Sequence, residues 1–174
     1  MTILLYPFVA LSALGLALSI FAHVSALLGF DVPSAAFVLH IGIFVVWIPT
    51  VFVSNTLAKN HDRKDFWKVV LRGAPKWAQY IMYGFFYYAI FNFAIFFLPI
   101  FGIRIIPNLG LPMSDIRLFS GHWMVFYSAA LITLYSAIQI QRKGSVRKCV
   151  NGHQVSNEAV FCDQCGQMIL DEVK

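Results

Sequence analysis

Four long stretches of the sequence contain no charged side chain. Each is longer than the roughly 20 residues that a helix needs to cross the hydrocarbon core of a bilayer. A chain in lipid must satisfy its backbone hydrogen bonds within the segment, so such runs are expected to be helical. Charged residues make up only 12% of the chain, against about 25% in soluble domains. The sequence predicts an all-α membrane protein with four transmembrane helices at about 3–29, 34–57, 77–102 and 118–141.

The positive charges lie on alternate connections between these helices. Six of the thirteen Lys and Arg residues fall within 59–76, and four follow the fourth helix at Arg142, Lys143, Arg147 and Lys148. The connection at 30–34 has none, and the one at 104–117 has two. Lys and Arg concentrate in cytoplasmic loops. We therefore expect both chain ends, and the loop at 59–76, in the cytoplasm. This topology explains the net charge of +5 without nucleic acid.

All three cysteines lie in one polar segment, CVNGHQVSNEAVFCDQCG, residues 149–166. With one histidine they form the candidate zinc ligands Cys149, His153, Cys162 and Cys165. Thiolate and imidazole are the ligands that Zn²⁺ prefers, and four of them close a tetrahedral structural site. The segment is too short for an apolar core, so a metal would supply its folding energy. A redox dithiol at Cys162 and Cys165 is the alternative, but no βαβ context surrounds it.

The same residues carry a family resemblance. The pattern C-x-x-G-H … F-C-x-x-C-G resembles the zinc-ribbon family of bacterial proteins, over residues 149–166 only. The resemblance implies one structural zinc per chain, in a module that serves for docking or regulation. The membrane part, including FSGHWMVFYSAA, resembles only uncharacterised small multi-pass bacterial membrane proteins. The resemblance implies that the helices lie in a bacterial inner membrane.

These features divide the chain into three parts. Residues 1–141 form the four-helix transmembrane domain, residues 142–148 a basic linker, and residues 149–174 the zinc-ribbon tail. From Cys149 onward the tail has four acids and one base. We therefore expect the tail to contact a protein and not nucleic acid.

The loop at 59–76 predicts a short amphipathic helix on the cytoplasmic face. Its basic residues recur every four positions, while Phe66, Trp67, Val70 and Leu71 are placed to dip into the membrane interface. The predicted helix contacts either anionic lipid or a protein partner. The candidate contact residues are Lys64, Trp67, Lys68, Arg72 and Lys76.

Small residues recur along the first helix, at Ser12, Gly15, Ser19, Ala22 and Ala26. Small side chains let helix backbones approach closely in lipid. We interpret this stripe as packing within one chain, in preference to a dimer interface.

Three histidines are predicted to lie at similar depth in different helices. His23, His40 and His122, with Asn92 nearby, form the candidate intramembrane site, because ionisable residues in a membrane usually face the bundle interior. Three interpretations stay open. The imidazoles hold a second metal or a haem, one histidine titrates in a proton or quinone site with Asn92 or Tyr127, or each donates a structural hydrogen bond.

No phosphate-binding loop, nucleophile elbow or pair of membrane-embedded acids is present in the sequence. Nothing requires enzymatic chemistry. The first hypothesis is a non-enzymatic accessory, sensor or assembly subunit whose zinc ribbon and basic loop dock a cytoplasmic or membrane protein. The second is a redox or proton-active protein that uses the membrane histidines, with haem, copper or quinone. The third is a small channel formed by a homo-oligomer.

Overall fold

The structure is a computed structural model. The structure describes residues 2–59, 61–102, 115–144, 146–156 and 160–169. Within these ranges the regular secondary structure is helical, apart from one short hairpin and one isolated β-bridge in the tail. The helices are α1 (Tyr6–Leu27), α2 (Val38–Ala58), α3 (Phe66–Val70), α4 (Lys76–Phe97) and α5 (Asp115–Gly144). Short 3-10 turns precede α1, α2 and α3, and another follows α4.

Among the described residues, four helical segments have the length and composition to cross a membrane, which confirms the predicted number and indicates an integral membrane protein. They are Ile3–Leu27, Ser34–Ala58, Lys76–Phe97 and Asp115–Arg142. The third ends earlier than predicted and gives way to a 3-10 turn at Leu98–Phe101, because Pro99 has no N–H to continue the α-helical ladder. The fourth begins earlier, since the carboxylate of Asp115 suits the first turn of a helix.

Helix α5 is the centre of the bundle. It packs against α1, α2 and α4. It supplies Trp123, Tyr127 and Ala130 to one core cluster and Leu134, Ala137 and Ile138 to another. The surfaces of the outer helices that do not face α5 are rich in exposed apolar side chains, as expected of surfaces in contact with lipid.

The small-residue stripe is the buried face of α1. Its members Ser12, Gly15, Ser19, Ala22 and Ala26 are all buried. The hydroxyls of Ser12 and Ser19 donate to the carbonyls of Phe8 and Gly15, four residues earlier in the same helix. The stripe therefore permits close packing inside the chain without leaving a hydroxyl unpaired in the membrane.

The basic loop differs from its prediction. Helix α3 has only five residues. Val70 and Leu71 are fully buried in a cluster with Met82, Ala129 and Ile132, so they face the bundle, and the expectation that they enter the lipid interface was wrong. The physical reason is a pair of hydrogen bonds that tie the loop to α5: the Ser136 hydroxyl donates to the Val70 carbonyl (2.6 Å) and accepts from the Gly73 N–H (2.9 Å).

The tail follows α5 almost without interruption. Strands β1 (Val146–Lys148) and β2 (Gln154–Ser156) pair antiparallel, with Arg147 opposite Val155. The predicted basic linker at 142–148 is thus divided between the end of α5 and β1. Cys149, Val155 and Cys162 are buried together, with Ile169 packed against them.

Candidate metal centre and membrane histidine groups

Two similar turns present the cysteines of the tail. In the first, the Gly152 N–H donates to the Cys149 carbonyl (2.8 Å) and the Cys149 N–H donates to the His153 carbonyl (3.0 Å). In the second, the Gly166 N–H donates to the Cys162 carbonyl (2.7 Å), and the Cys162 N–H donates to the Gln167 carbonyl (2.8 Å). Both glycines have φ near +70 to +80°, a region that L residues avoid. The backbone therefore holds the two pairs of ligands facing each other.

The four candidate ligands meet at one point. Their ligand atoms all lie within 4.8 Å of one another. The Cys149 Sγ lies 3.6 Å from His153 Nδ1 and 3.7 Å from Cys165 Sγ, and Cys162 Sγ lies 3.7 Å from His153 Nδ1. A tetrahedron with metal–sulfur bonds of ~2.3 Å has edges of ~3.8 Å. The donor set and its spacing therefore fit a metal ion such as zinc.

Two of the thiols have opposite pKa shifts. Burial raises the pKa of the Cys162 thiol. Hydrogen bonds from the Gln167 backbone and the His153 side chain lower the pKa of Cys165 to about 6. Only the thiolate binds a metal, so Cys165 is prepared to bind at neutral pH, whereas at Cys162 the metal itself would stabilise the thiolate.

The membrane histidines fall into two separate groups. His23, which is buried, lies 2.8 Å from the Ser120 hydroxyl through Nδ1 and 2.6 Å from the Tyr88 hydroxyl through Nε2. The Ser120 hydroxyl donates to the Arg117 carbonyl. Because that proton is used, the Ser120 hydroxyl oxygen accepts from the His23 Nδ1–H, and the Tyr88 hydroxyl donates to His23 Nε2. Both ring nitrogens are paired, and the network joins α1, α4 and α5.

Asn92 belongs to this first group. It is buried, and its amide donates to the Arg117 carbonyl (3.2 Å). A Cβ added at Gly121 would lie 3.2 Å from the Asn92 amide nitrogen and 4.0 Å from His23 Cε1. Gly121 therefore lets both side chains approach the same side of α5.

The second group contains His40 and His122. Their rings stack with centroids 5.8 Å apart and planes at 20°. The Trp123 indole N–H donates to His40 Nδ1 (3.1 Å), so a neutral His40 carries its proton on Nε2. Tyr127, which we considered as a partner for a titrating histidine, donates instead to the Leu39 carbonyl (2.8 Å).

The three histidines therefore do not share one position. Within the described ranges, the tail cluster is the one group of three or more His, Cys, Asp or Glu side chains with ligand atoms close enough to hold a metal. A haem or copper held jointly by His23, His40 and His122 has no support in this arrangement.

The candidate contact residues of the basic loop are at the surface. Lys64, Trp67, Lys68, Arg72 and Lys76 are all exposed. Lys64 forms an ion pair with Asp62 at 3.4 Å, also exposed, and such pairs contribute little to stability. Through the five candidate residues the loop thus exposes four basic side chains and one indole ring.

Sequence reasoning missed Tyr88, Ser120 and Trp123. Nothing in the sequence distinguishes Tyr88 from the many other aromatic residues of α4, or Ser120 from the other serines of α5. Trp123 follows His122 directly, but its partner is His40. Only the three-dimensional packing pairs them with particular imidazoles.

No family model, no curated protein and no solved structure matches this chain. Its function must therefore be inferred from the candidate metal centre, the basic loop and the membrane histidine groups.

Proposed function

We propose that the chain is a non-enzymatic membrane accessory, sensor or assembly subunit whose C-terminal zinc ribbon and basic loop dock a protein partner in the cytoplasm. Three sulfurs and one imidazole nitrogen are a donor set that zinc prefers, and four protein ligands leave no open position for a substrate. This supports a structural metal over a catalytic one.

The observation that carries the docking role is apolar exposure on the tail. Phe161 is 56% exposed and Met168 is 55% exposed, although both lie outside the four membrane-spanning segments. They form an antiparallel bridge with each other, so their side chains are neighbours on one surface. Val150, at the first turn, is 85% exposed. Large apolar side chains that are neighbours and face water are typical of protein contact sites.

The position and charge of the basic loop also support a docking role. It connects the end of α2 to the start of α4, and the tail follows the end of α5, so in a bundle of four crossings both lie on one side of the membrane. The exposed lysines and arginine of the loop complement an acidic surface. A partner with an apolar patch and acidic residues beside it fits both elements.

The experiment compares tagged full-length variants purified from their native membranes. We expect the parent chain to contain about one zinc and to retain a specific partner. The double variant Cys162→Ser/Cys165→Ser should lose both zinc and partner, because metal binding supplies the folding energy of the tail. The double variant Phe161→Ser/Met168→Ser should keep zinc and lose the partner. Gln164→Ala, at an exposed polar position of the same segment, is the control that should keep both.

Two results would overturn the proposal. Absence of stoichiometric zinc in the parent chain would show that the tail is not a zinc ribbon. An unchanged set of partners in both double variants would show that the tail does not dock the partner, without bearing on whether it binds zinc.

A further inference from the structure

A groove of about 520 Å³ lies between α4 and α5. Its walls are aromatic. They include Phe86, Phe93 and Phe97 from α4 and Phe119 and Phe126 from α5. Phe86 and Phe93 are about half exposed, so the groove opens on the surface that faces lipid. Its volume falls in the range of small-molecule sites, roughly 300–1,000 Å³.

His122 is the polar side chain in this lining. Its ring is exposed and lies 4.6 Å from the ring of Phe126. In the part of the chain that the structure describes, His122 makes ring contacts but no hydrogen bond. His40 offers no acceptor, because a neutral imidazole has one acceptor nitrogen and the Trp123 indole already donates to it. The N–H of His122 thus lacks a partner on the ring that it stacks against.

The depth of His122 in the membrane makes the missing hydrogen-bond partner of its N–H costly. The fourth spanning segment runs from Asp115 to Arg142, 28 residues, or ~42 Å of helix against a hydrocarbon core of ~30 Å. If the segment is centred, His122 lies ~5 Å inside the hydrocarbon. Polar groups at that depth need a hydrogen-bond partner. The groove therefore suits an apolar molecule with an acceptor oxygen at one end.

We propose that this groove binds a lipid-soluble quinone, with His122 donating a hydrogen bond to a ring carbonyl. A phospholipid ester also offers a carbonyl, but its acyl chains lack the flat π-surface that stacks on phenylalanine rings. A flat conjugated ring stacks against them, and the apolar tail of a quinone extends along the groove toward lipid. His23 takes no part, because both of its nitrogens are already paired. This site is independent of the docking role of the tail.

The test uses the full chain in nanodiscs of diether phospholipid, which has no ester carbonyl. The probe is decylubiquinone, and the signal is quenching of tryptophan fluorescence. Trp123 is bonded to His40, and the Trp47 ring lies 4.9 Å from the groove residue Phe126, so a bound quinone would lie close to both indoles. We expect saturable quenching. His122→Leu should weaken the apparent affinity about tenfold, the effect of one lost hydrogen bond. His122→Gln retains an N–H donor and should recover most of the affinity.

Two further variants separate the groove from general membrane partitioning. Ala89→Phe fills the groove from α4 and should abolish saturable quenching. Phe91→Leu changes an exposed residue of α4 outside the groove lining and should have no effect. Quenching that is non-saturable, or equal in the parent, His122→Leu and Ala89→Phe chains, would overturn the proposal. Loss of quinone binding in diester nanodiscs would overturn it in favour of a phospholipid ester.

Discussion

The ring of Tyr127 lies between two glycines of neighbouring helices. A Cβ added at Gly15 of α1 would overlap three carbons of the ring, whereas a Cβ at Gly42 of α2 would overlap the hydroxyl oxygen and lie 3.6 Å from the next ring carbon. The same hydroxyl donates to the Leu39 carbonyl. One aromatic residue of α5 thus depends on a missing side chain in each of two other helices.

We expect Gly15→Ala and Gly42→Ala each to lower the free energy of unfolding by about 1–3 kcal/mol, the usual cost of overpacking. Tyr127→Phe removes only the hydroxyl. It should therefore relieve much of the Gly42→Ala defect and little of the Gly15→Ala defect. The measurement is reversible unfolding in detergent of the single and double variants, analysed as two double-mutant cycles.

Gly84 of α4 is the matched control, since a Cβ there would meet nothing within 4 Å. Gly84→Ala should be neutral or slightly stabilising, because alanine has the higher helix propensity. A loss of stability at Gly84 similar to that at Gly15, or equal relief of both glycine variants by Tyr127→Phe, would contradict the packing described here.

At the scale of elements, the basic loop is held to the bundle by side-chain hydrogen bonds. Besides Ser136, Gln79 of α4 contributes: its amide donates to the Leu71 carbonyl (3.0 Å) and the Ala74 carbonyl (2.9 Å). Gly73 lets the loop approach closely, because a Cβ there would overlap the Ser136 carbonyl oxygen. The loop is therefore a packed part of the fold and not a separate surface helix.

Ser136→Ala should loosen this loop. The substitution leaves the Gly73 N–H and the Val70 carbonyl without their partner, which costs about 1–3 kcal/mol for buried groups. We expect faster amide hydrogen exchange at Gly73 and faster tryptic cleavage after Lys68 or Arg72. Ser128→Ala is the control, since that hydroxyl donates within its own helix to Val125 (3.0 Å). Equal exchange and cleavage in the two variants would show that Ser136 does not hold the loop.

The sequence predicted the four helical spans and the four tail ligands because their signals are local. A charge-free run and a C-x2-C spacing can be read without knowing what packs against them. The burial of Val70 and Leu71 could not be read in this way, since apolar side chains in a membrane protein face lipid or protein with equal ease. Small residues are more informative: the α1 stripe was correctly identified as a packing face because lipid contact does not require small side chains.

At the scale of the whole molecule, one helix holds the others in place. In the α5 segment, 67% of the residues in an 18-residue apolar stretch are buried. The corresponding shares in the other three spans are 22%, 17% and 11%. The outer helices therefore depend on α5 more than on each other. The same helix leads into the candidate metal centre, so its orientation in the membrane fixes the side on which the tail lies.

The distribution of charge predicts that orientation. The loop at 59–76 and residues 142–148 carry ten of the thirteen Lys and Arg residues, and the connection at 28–37 carries only Asp31. Since the positive side stays in the cytoplasm, we expect a cysteine introduced at His61 to react with a membrane-impermeant maleimide only in inside-out vesicles. A cysteine introduced at Ser34 should react only in right-side-out vesicles.

Both positions are exposed, and neither substitution changes a Lys, Arg, Asp or Glu. The three native cysteines would first be replaced by serine, so that the new thiol is the only one labelled. Labelling of both sites from one side would contradict the four-crossing bundle itself. Reversed labelling would keep the bundle but place the metal centre and basic loop outside the cell, where a cytoplasmic partner could not reach them.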